Sequence, residues 1–332
     1  MITEIFATRQ PTAWQHELSQ AFTNPLELLA FLALSNSSLA QQVLQRPQFS
    51  LLVPRNYAAK MQPGNPADPL LRQVLPILAE QQQVPGFSHD PVGDQKAEKA
   101  TGLLHKYHGR GLLITTGACA IHCRYCFRQY YTYSRHIFTQ LPKIIENLQI
   151  DTSISEIILS GGDPLLLTDA RLSQLINQLA KIPHLQRLRI HSRLPVVLPS
   201  RITEDLVHHL TATRLQTVMV IHANHINELD TAVQRALQRL THSGVMLLNQ
   251  SVLLRGVNDE AVDLQALSEK LFSCRVLPYY LHLLDRVQGA AHFEVDETEA
   301  IQLVEQLRQQ LPGYLVPKLV REVAGMPYKQ PL

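Results

Sequence analysis

The stretch T-T-G-A-C-A-I-H-C-R-Y-C-F-R, residues 115–128, sets Cys119, Cys123 and Cys126 in the spacing C-x3-C-x2-C. Three thiolates from one short loop can converge on one face of an iron–sulfur cube. A cube has one iron more than this loop has cysteines, and ferredoxin-type carriers close the remaining corner with a further cysteine. A corner left open suits a reactive cofactor that must chelate the metal. Two other readings compete. With His122 the cysteines form a Cys3His set, a common structural zinc arrangement. Yet His122 adjoins Cys123 and is poorly placed to turn to the same ion, and no second ligand pair follows. A disulfide framework fails on number, with four cysteines in 332 residues, and on the absence of a signal peptide, which points to a reducing cytosol. The remaining cysteine, Cys274, sits in an apolar stretch between Phe272 and Val276 and reads as core.

Working outward from this loop, apolar runs alternate with amphipathic windows. Strands are predicted at 111–115, 156–160, 187–191, 216–222, 245–250 and 276–281. Helices are predicted near 139–149, 168–181, 203–212, 227–243, 259–272 and 296–310. Continuous apolar strands separated by helices imply a parallel sheet covered by helices. The fold class is therefore α/β, with a partial (β/α)6 barrel expected over residues 96–312, although periodicity alone also allows an open doubly wound sheet. Residues 1–95 read as a helical N-terminal region. Apolar residues recur at helical spacing from Thr12 to Leu44, and a second helical stretch covers Leu70 to Gln83, kinked at Pro76. Packing and oligomer contact are its expected roles, with no chemistry. Residues 313–332 form a short C-terminal strand segment.

In α/β barrels, functional groups gather at the C-terminal ends of strands. The first predicted strand runs straight into the cysteine loop. The second ends in Ser160-Gly161-Gly162-Asp163-Pro164, where two glycines permit close backbone approach to a ligand. His191-Ser192-Arg193, then His222, Asn224 and His225, then Asn249-Gln250-Ser251 close the next three. Five polar clusters at equivalent ends predict a ligand-lined mouth.

Net charge is +2 with 17% charged residues, which gives no basic stripe for nucleic acid. No apolar run reaches membrane-spanning length, and the opening M-I-T-E-I-F lacks a secretion pattern. A soluble, cytoplasmic protein is expected.

The cysteine triplet with Tyr125 before its last member resembles the radical S-adenosylmethionine (SAM) signature. From about residue 51 onward the chain also resembles the lysine 2,3-aminomutase family, through R-G-L-L-I-T-x-x-x-C, C-R-Y-C-F-R, L-S-G-G-D-P-L, R-I-H-S-R-L-P-V-V-L-P, N-Q-S-V-L-L-R-G-V-N-D and P-Y-Y-L-H-L-L-D. V-P-R-N-Y, G-N-P-A-D-P-L-L-R-Q-V-L, T-G-L-L-H-K-Y-H, V-Q-G-A-A-H-F and Y-L-V-P-K-L-V-R-E look most like the branch that supplies (R)-β-lysine for modification of elongation factor P. The short stretch after Lys329 favours the same branch.

The resemblance implies a radical SAM isomerase that also uses pyridoxal 5′-phosphate (PLP) and moves the 2-amino group of L-lysine to carbon 3. Cys119, Cys123 and Cys126 would ligate a 4Fe–4S cluster, whose electron cleaves SAM to a 5′-deoxyadenosyl radical. Ser160, Gly161, Gly162 and Asp163 would hold the amino group of SAM, with Arg193, His222 and Gln250 among its other contacts. Lys329 would be the catalytic lysine that tethers PLP, approached by Lys106, Tyr107 and Arg110. Arg128 would grip the substrate carboxylate through its planar fork, while Asp285 and Glu322 would hold the distal ammonium. The sequence departs from the family at M-P-Y-K, where this branch usually reads E-P-S-K, and at Glu322, which is Asp in the longer type. Implied partners are an external electron donor of flavodoxin or ferredoxin type, elongation factor P with its lysyl ligase, and a second copy in a homo-oligomer. Other readings are a free lysine 2,3-aminomutase of lysine metabolism, a radical SAM enzyme acting on another amino acid, and a non-enzymatic metal module.

Overall fold

Runs of Ile, Leu and Val become parallel strands here because a strand covered on both faces has no solvent side to keep polar. The computed structural model describes residues 12–100, 102–133 and 137–332; the opening M-I-T-E-I-F lies outside them. Among the described residues, ten strands follow one another across a single sheet: β1 (Glu98–Ala100), β2 (Leu103–Tyr107), β3 (Arg110–Thr116), β4 (Glu156–Gly161), β5 (Arg187–Ser192), β6 (Gln216–Ile221), β7 (Met246–Val252), β8 (Leu277–His282), β9 (Lys318–Arg321) and β10 (Gln330–Pro331). From β3 to β9 every pairing is parallel. The additions at the two ends, β1 with β2, β2 with β3, and β9 with β10, are antiparallel.

The helices Ile137–Ile150, Asp169–Ala180, Glu204–Thr211, Thr231–His242, Ala261–Ser273 and Glu297–Gln310 occupy the successive crossovers, matching the predicted windows. Their starts are chemically marked. Thr168, Thr203, Asp230 and Asp296 each accept a hydrogen bond from a backbone N–H of the first turn, meeting a donor that has no partner within the helix. Each also turns an apolar stripe inward, such as Leu172, Leu175, Ile176 and Leu179.

The sheet curls. Lys106 Nζ on β2 lies 3.3 Å from the carboxylate of Glu322, one residue beyond β9. Residues near opposite ends of one flat sheet cannot meet, so the curl makes a partial barrel and removes the open doubly wound alternative. β1 and β10 are not paired with each other among the described residues.

The N-terminal region departs from its expected long helices. Ala13–Ser19 and Pro25–Phe31 are separate seven-residue helices, and between them Phe22 pairs as a bridge with Val53. The predicted stretch Leu70 to Gln83 is one turn, Pro69–Arg72, followed by a 3-10 turn at Leu78–Gln81. Pro76 accounts for this, since it lacks a donor and disfavours helical geometry at Leu75. Trp14, Leu28, Leu29, Tyr57 and Leu70 share one continuous apolar core with Leu113, Leu172 and Met219, and Cys274 is buried in it.

Candidate active site

β3 delivers the cysteine loop to the C-terminal end of the sheet, and the turn after β4 wedges against it. Gly162 N donates to Thr116 O (2.6 Å) and Asp163 N to Ala118 O (2.8 Å). A Cβ on Gly162 would lie 2.2 Å from Ala118 O, and one on Gly161, at φ +122°, 2.6 Å from Thr116 O. The close approach that these glycines permit is thus to the chain's own cysteine loop. Asp163 completes the wedge: its carboxylate accepts from Ser192 Oγ and from the backbone of Leu165, Arg193 and Leu194. Burial nevertheless lifts its pKa to about 6.

From the other side, Arg124 N donates to Gln73 O (2.9 Å) and His122 N to Leu52 O (3.0 Å). The His122 ring turns away from the cysteines, with Nδ1 2.7 Å from Ser50 O and its face stacked on Phe49. That contact removes the imidazole from any Cys3His set. Among the described residues, no three His, Cys, Asp or Glu side chains gather as a single-ion site would need.

Cys119, Cys123 and Cys126 face a cavity of about 620 Å³, and the other residues that the family resemblance assigns to cofactors and substrate line it too. They are Lys106, Tyr107, Arg110, Arg128, Ser160, Gly161, Gly162, Asp163, Arg193, His222, Gln250, Asp285, Glu322 and Lys329. Burial and mutual repulsion push the Cys119 thiol well up and Cys126 to about 11. Such thiols ionise when irons supply positive charge, so the donor set fits a cluster bound at three corners. Not every polar strand end opens to the mouth. Asn249 and Ser251 bond Ala223 O, and Asn224 bonds Gln73 and Tyr125.

Away from the cysteines the cavity carries a chain of ions. Arg128 Nε donates to Asp94 Oδ2 (2.7 Å), and its Nη1 donates to Ser160 Oγ (3.1 Å). Asp94 Oδ1 pairs with Lys106 Nζ (2.6 Å), Lys106 with Glu322, and Glu322 with Lys329. Burial works against ionisation of Glu322, yet the Lys329 and Lys106 ammoniums bring its carboxyl down to about 2. Asp285 behaves oppositely: burial raises it to about 7, against the pull of Lys329 and with repulsion from Glu322.

Burial keeps His191, His222 and His282 neutral, with nearby cations adding to the effect. His191 Nε2, His222 Nε2 and Arg110 Nε are buried without a partner among the described residues, as expected of groups that meet polar or anionic ligands. The M-P-Y-K departure lies at the cavity's edge. Met326 and Tyr328 are exposed, Tyr328 also edging the cavity, Gly325 takes the left-handed φ of +82°, and Lys329 reaches the cavity.

Asp94 is the residue that the sequence reading missed. It starts the short helix Asp94–Ala97 behind Gly93, in a region given no chemistry, and is 2% exposed. The turn H-D-P-V-G-D marks a loop but carries no sign that its last acid is buried.

A family description, "4Fe-4S single cluster domain", matches residues 108–188. The chain is 47% identical over 323 residues to an L-lysine 2,3-aminomutase of Haemophilus influenzae, covering 97% of this chain and 96% of that protein. It is 48% identical over 326 residues to an L-lysine 2,3-aminomutase of Escherichia coli, covering 96% and 94%. With the L-lysine 2,3-aminomutase of Clostridium subterminale it shares 36% over 279 residues, 83% of this chain and 67% of that one.

Proposed function

The chain belongs to the L-lysine 2,3-aminomutase family, a family of isomerases, and from that premise we propose that it converts L-lysine to (R)-β-lysine for the modification of elongation factor P. The observation that carries this reading is one cavity with three thiols at one end and Lys329, Glu322 and Asp285 at the other.

When bound, the cluster and SAM supply a hydrogen-abstracting radical, and PLP supplies a conjugated ring for the migrating nitrogen. The protein's own groups do the rest. Cys119, Cys123 and Cys126 hold the cluster. Lys329 would tether PLP beside Arg110, Tyr107 and Lys106, and His222 and Gln250 would contact SAM. Arg128, kept in its plane by Asp94 and Ser160, presents its remaining donors to the substrate carboxylate. Asp285 and Glu322 receive the distal ammonium. A carboxylate grip at one end and acids at the other select a diamino acid of lysine's length, since a shorter side chain does not bring its ammonium to the buried Asp285. Walls such as Ile158, Val252 and Leu112 exclude water from the reacting carbons.

The test is an anaerobic assay of cluster-loaded protein with PLP, SAM, a reductant and L-lysine. The expected product is (R)-β-lysine, transferred to elongation factor P when its lysyl ligase is added. Failure to form β-lysine overturns the activity. Formation of the (S) isomer, or of a product that the ligase refuses, overturns the link to elongation factor P.

A further inference from the structure

Arg193, one residue past β5, is buried at the cavity wall, and both of its terminal nitrogens are engaged by protein groups. Nη1 donates to Cys123 Sγ and to Tyr125 Oη (2.8 Å). Nη2 donates to Gln73 Oε1 (2.7 Å), Glu228 Oε2 (2.9 Å) and Tyr57 Oη (3.2 Å). Glu228 is itself fully buried and fixed, accepting the backbone N–H of Asn224 (2.8 Å) and His225 (3.1 Å). An isolated buried ion pair is seldom a net gain in stability. This one places a rigid cation against a single cysteine sulfur, with its counter-charge on the far side of the guanidinium.

We propose that Arg193, anchored by Glu228, raises the reduction potential of the cluster through its contact with Cys123. The inference rests on the cluster reading above. One electron enters the cluster from an external low-potential donor of flavodoxin or ferredoxin class, and no bond or proton moves at Arg193. The reduced cluster carries one more negative charge than the oxidised one, so a neighbouring cation stabilises it selectively, and hydrogen bonds to cluster sulfur act in the same direction. Glu228 tempers the effect by its opposite charge. Removing the cation and removing the anion must therefore move the potential in opposite directions, which a purely structural support for the loop would not do.

The experiment is an electron-paramagnetic-resonance redox titration of anaerobically reconstituted protein without lysine, so that turnover does not enter. Arg193→Gln is expected to lower the midpoint by the equivalent of about tenfold in the reduction equilibrium, about 59 mV for one electron. Glu228→Gln is expected to raise it. Unchanged midpoints, or shifts of the same sign, overturn the proposal even if iron content falls. If Arg193→Gln takes up no cluster, Glu228→Gln decides alone, a rise supporting the proposal and anything else overturning it. A native protein that binds no cluster overturns the functional reading itself.

Discussion

The two ends of the cavity are held by different physics. Around the cysteines, backbone meets backbone: the glycine turn after β4 is wedged against the loop, and Gln73 and Leu52 accept from its other side. Around Lys329, side-chain ions from separate segments make the structure, passing from Arg128 through Asp94, Lys106 and Glu322. A backbone wedge has one geometry and fails if a methyl group is added. An ion chain has several pairings of similar energy and can exchange partners when a charged reactant enters. The first suits a cofactor that stays; the second suits a substrate that comes and goes.

Gly162→Ala attacks the rigid end most directly. A Cβ 2.2 Å from a carbonyl oxygen forces the loop to move, and iron content after reconstitution should fall more than tenfold, as read by iron analysis and visible absorbance. Retained iron would mean that the wedge is softer than its geometry states. Asp94→Asn breaks the ion chain at its hub and leaves Arg128 and Lys106 without their shared counter-charge. Losing one partner of a buried pair costs about 3–5 kcal/mol, which urea unfolding would register, whereas iron content should stay near native.

Asp285→Asn tests the exchangeable end alone. A hydrogen bond to a charged group contributes about 1.5–3 kcal/mol, so the KM for lysine should rise about 10- to 100-fold with little change in stability. The smallest effect is in pH. Asp285 is raised to about 7, so between its unfolded value and pH 7 the native state binds more protons than the unfolded one. Its contribution therefore favours folding at low pH and is lost as pH rises through 7. Lysine binding runs the other way, since the ammonium needs an ionised partner. Affinity should fall severalfold from pH 7.5 to pH 6, with proton release on binding detectable by calorimetry in buffers of different ionisation enthalpy. Glu322, held at about 2, contributes nothing in that range, and Asp285→Asn should flatten the profile.

The same contrast governs what could be read from the chain. The cysteine triplet is local, and β3–β8 announce themselves because strands covered on both faces need continuous apolar runs. Ser160-Gly161-Gly162-Asp163 was visible as a turn, but its neighbour was not: what the glycines approach is a backbone more than forty residues earlier in the sequence. The ion chain is less legible still. Asp94 and Arg128 are brought together by the path of the chain before β1, and Lys106 and Glu322 by the curl of the whole sheet. β1 and β2 are short and partly polar, so periodicity does not reveal them. Tyr57, Gln73 and Glu228, which support Arg193, read as ordinary packing until the fold places them behind Cys123.

The pairing of Lys106 with Glu322 has a mechanical corollary. Its members sit near opposite margins of one continuous ribbon of strands, so a slight change of twist at each intervening pairing accumulates into a large displacement where they meet. Repacking a helix on the outer surface, far from any reacting atom, would then act as a lever on how long a diamino acid fits between the grip and the acids. Altering chain-length preference is accordingly a task for the outer helices as much as for the mouth.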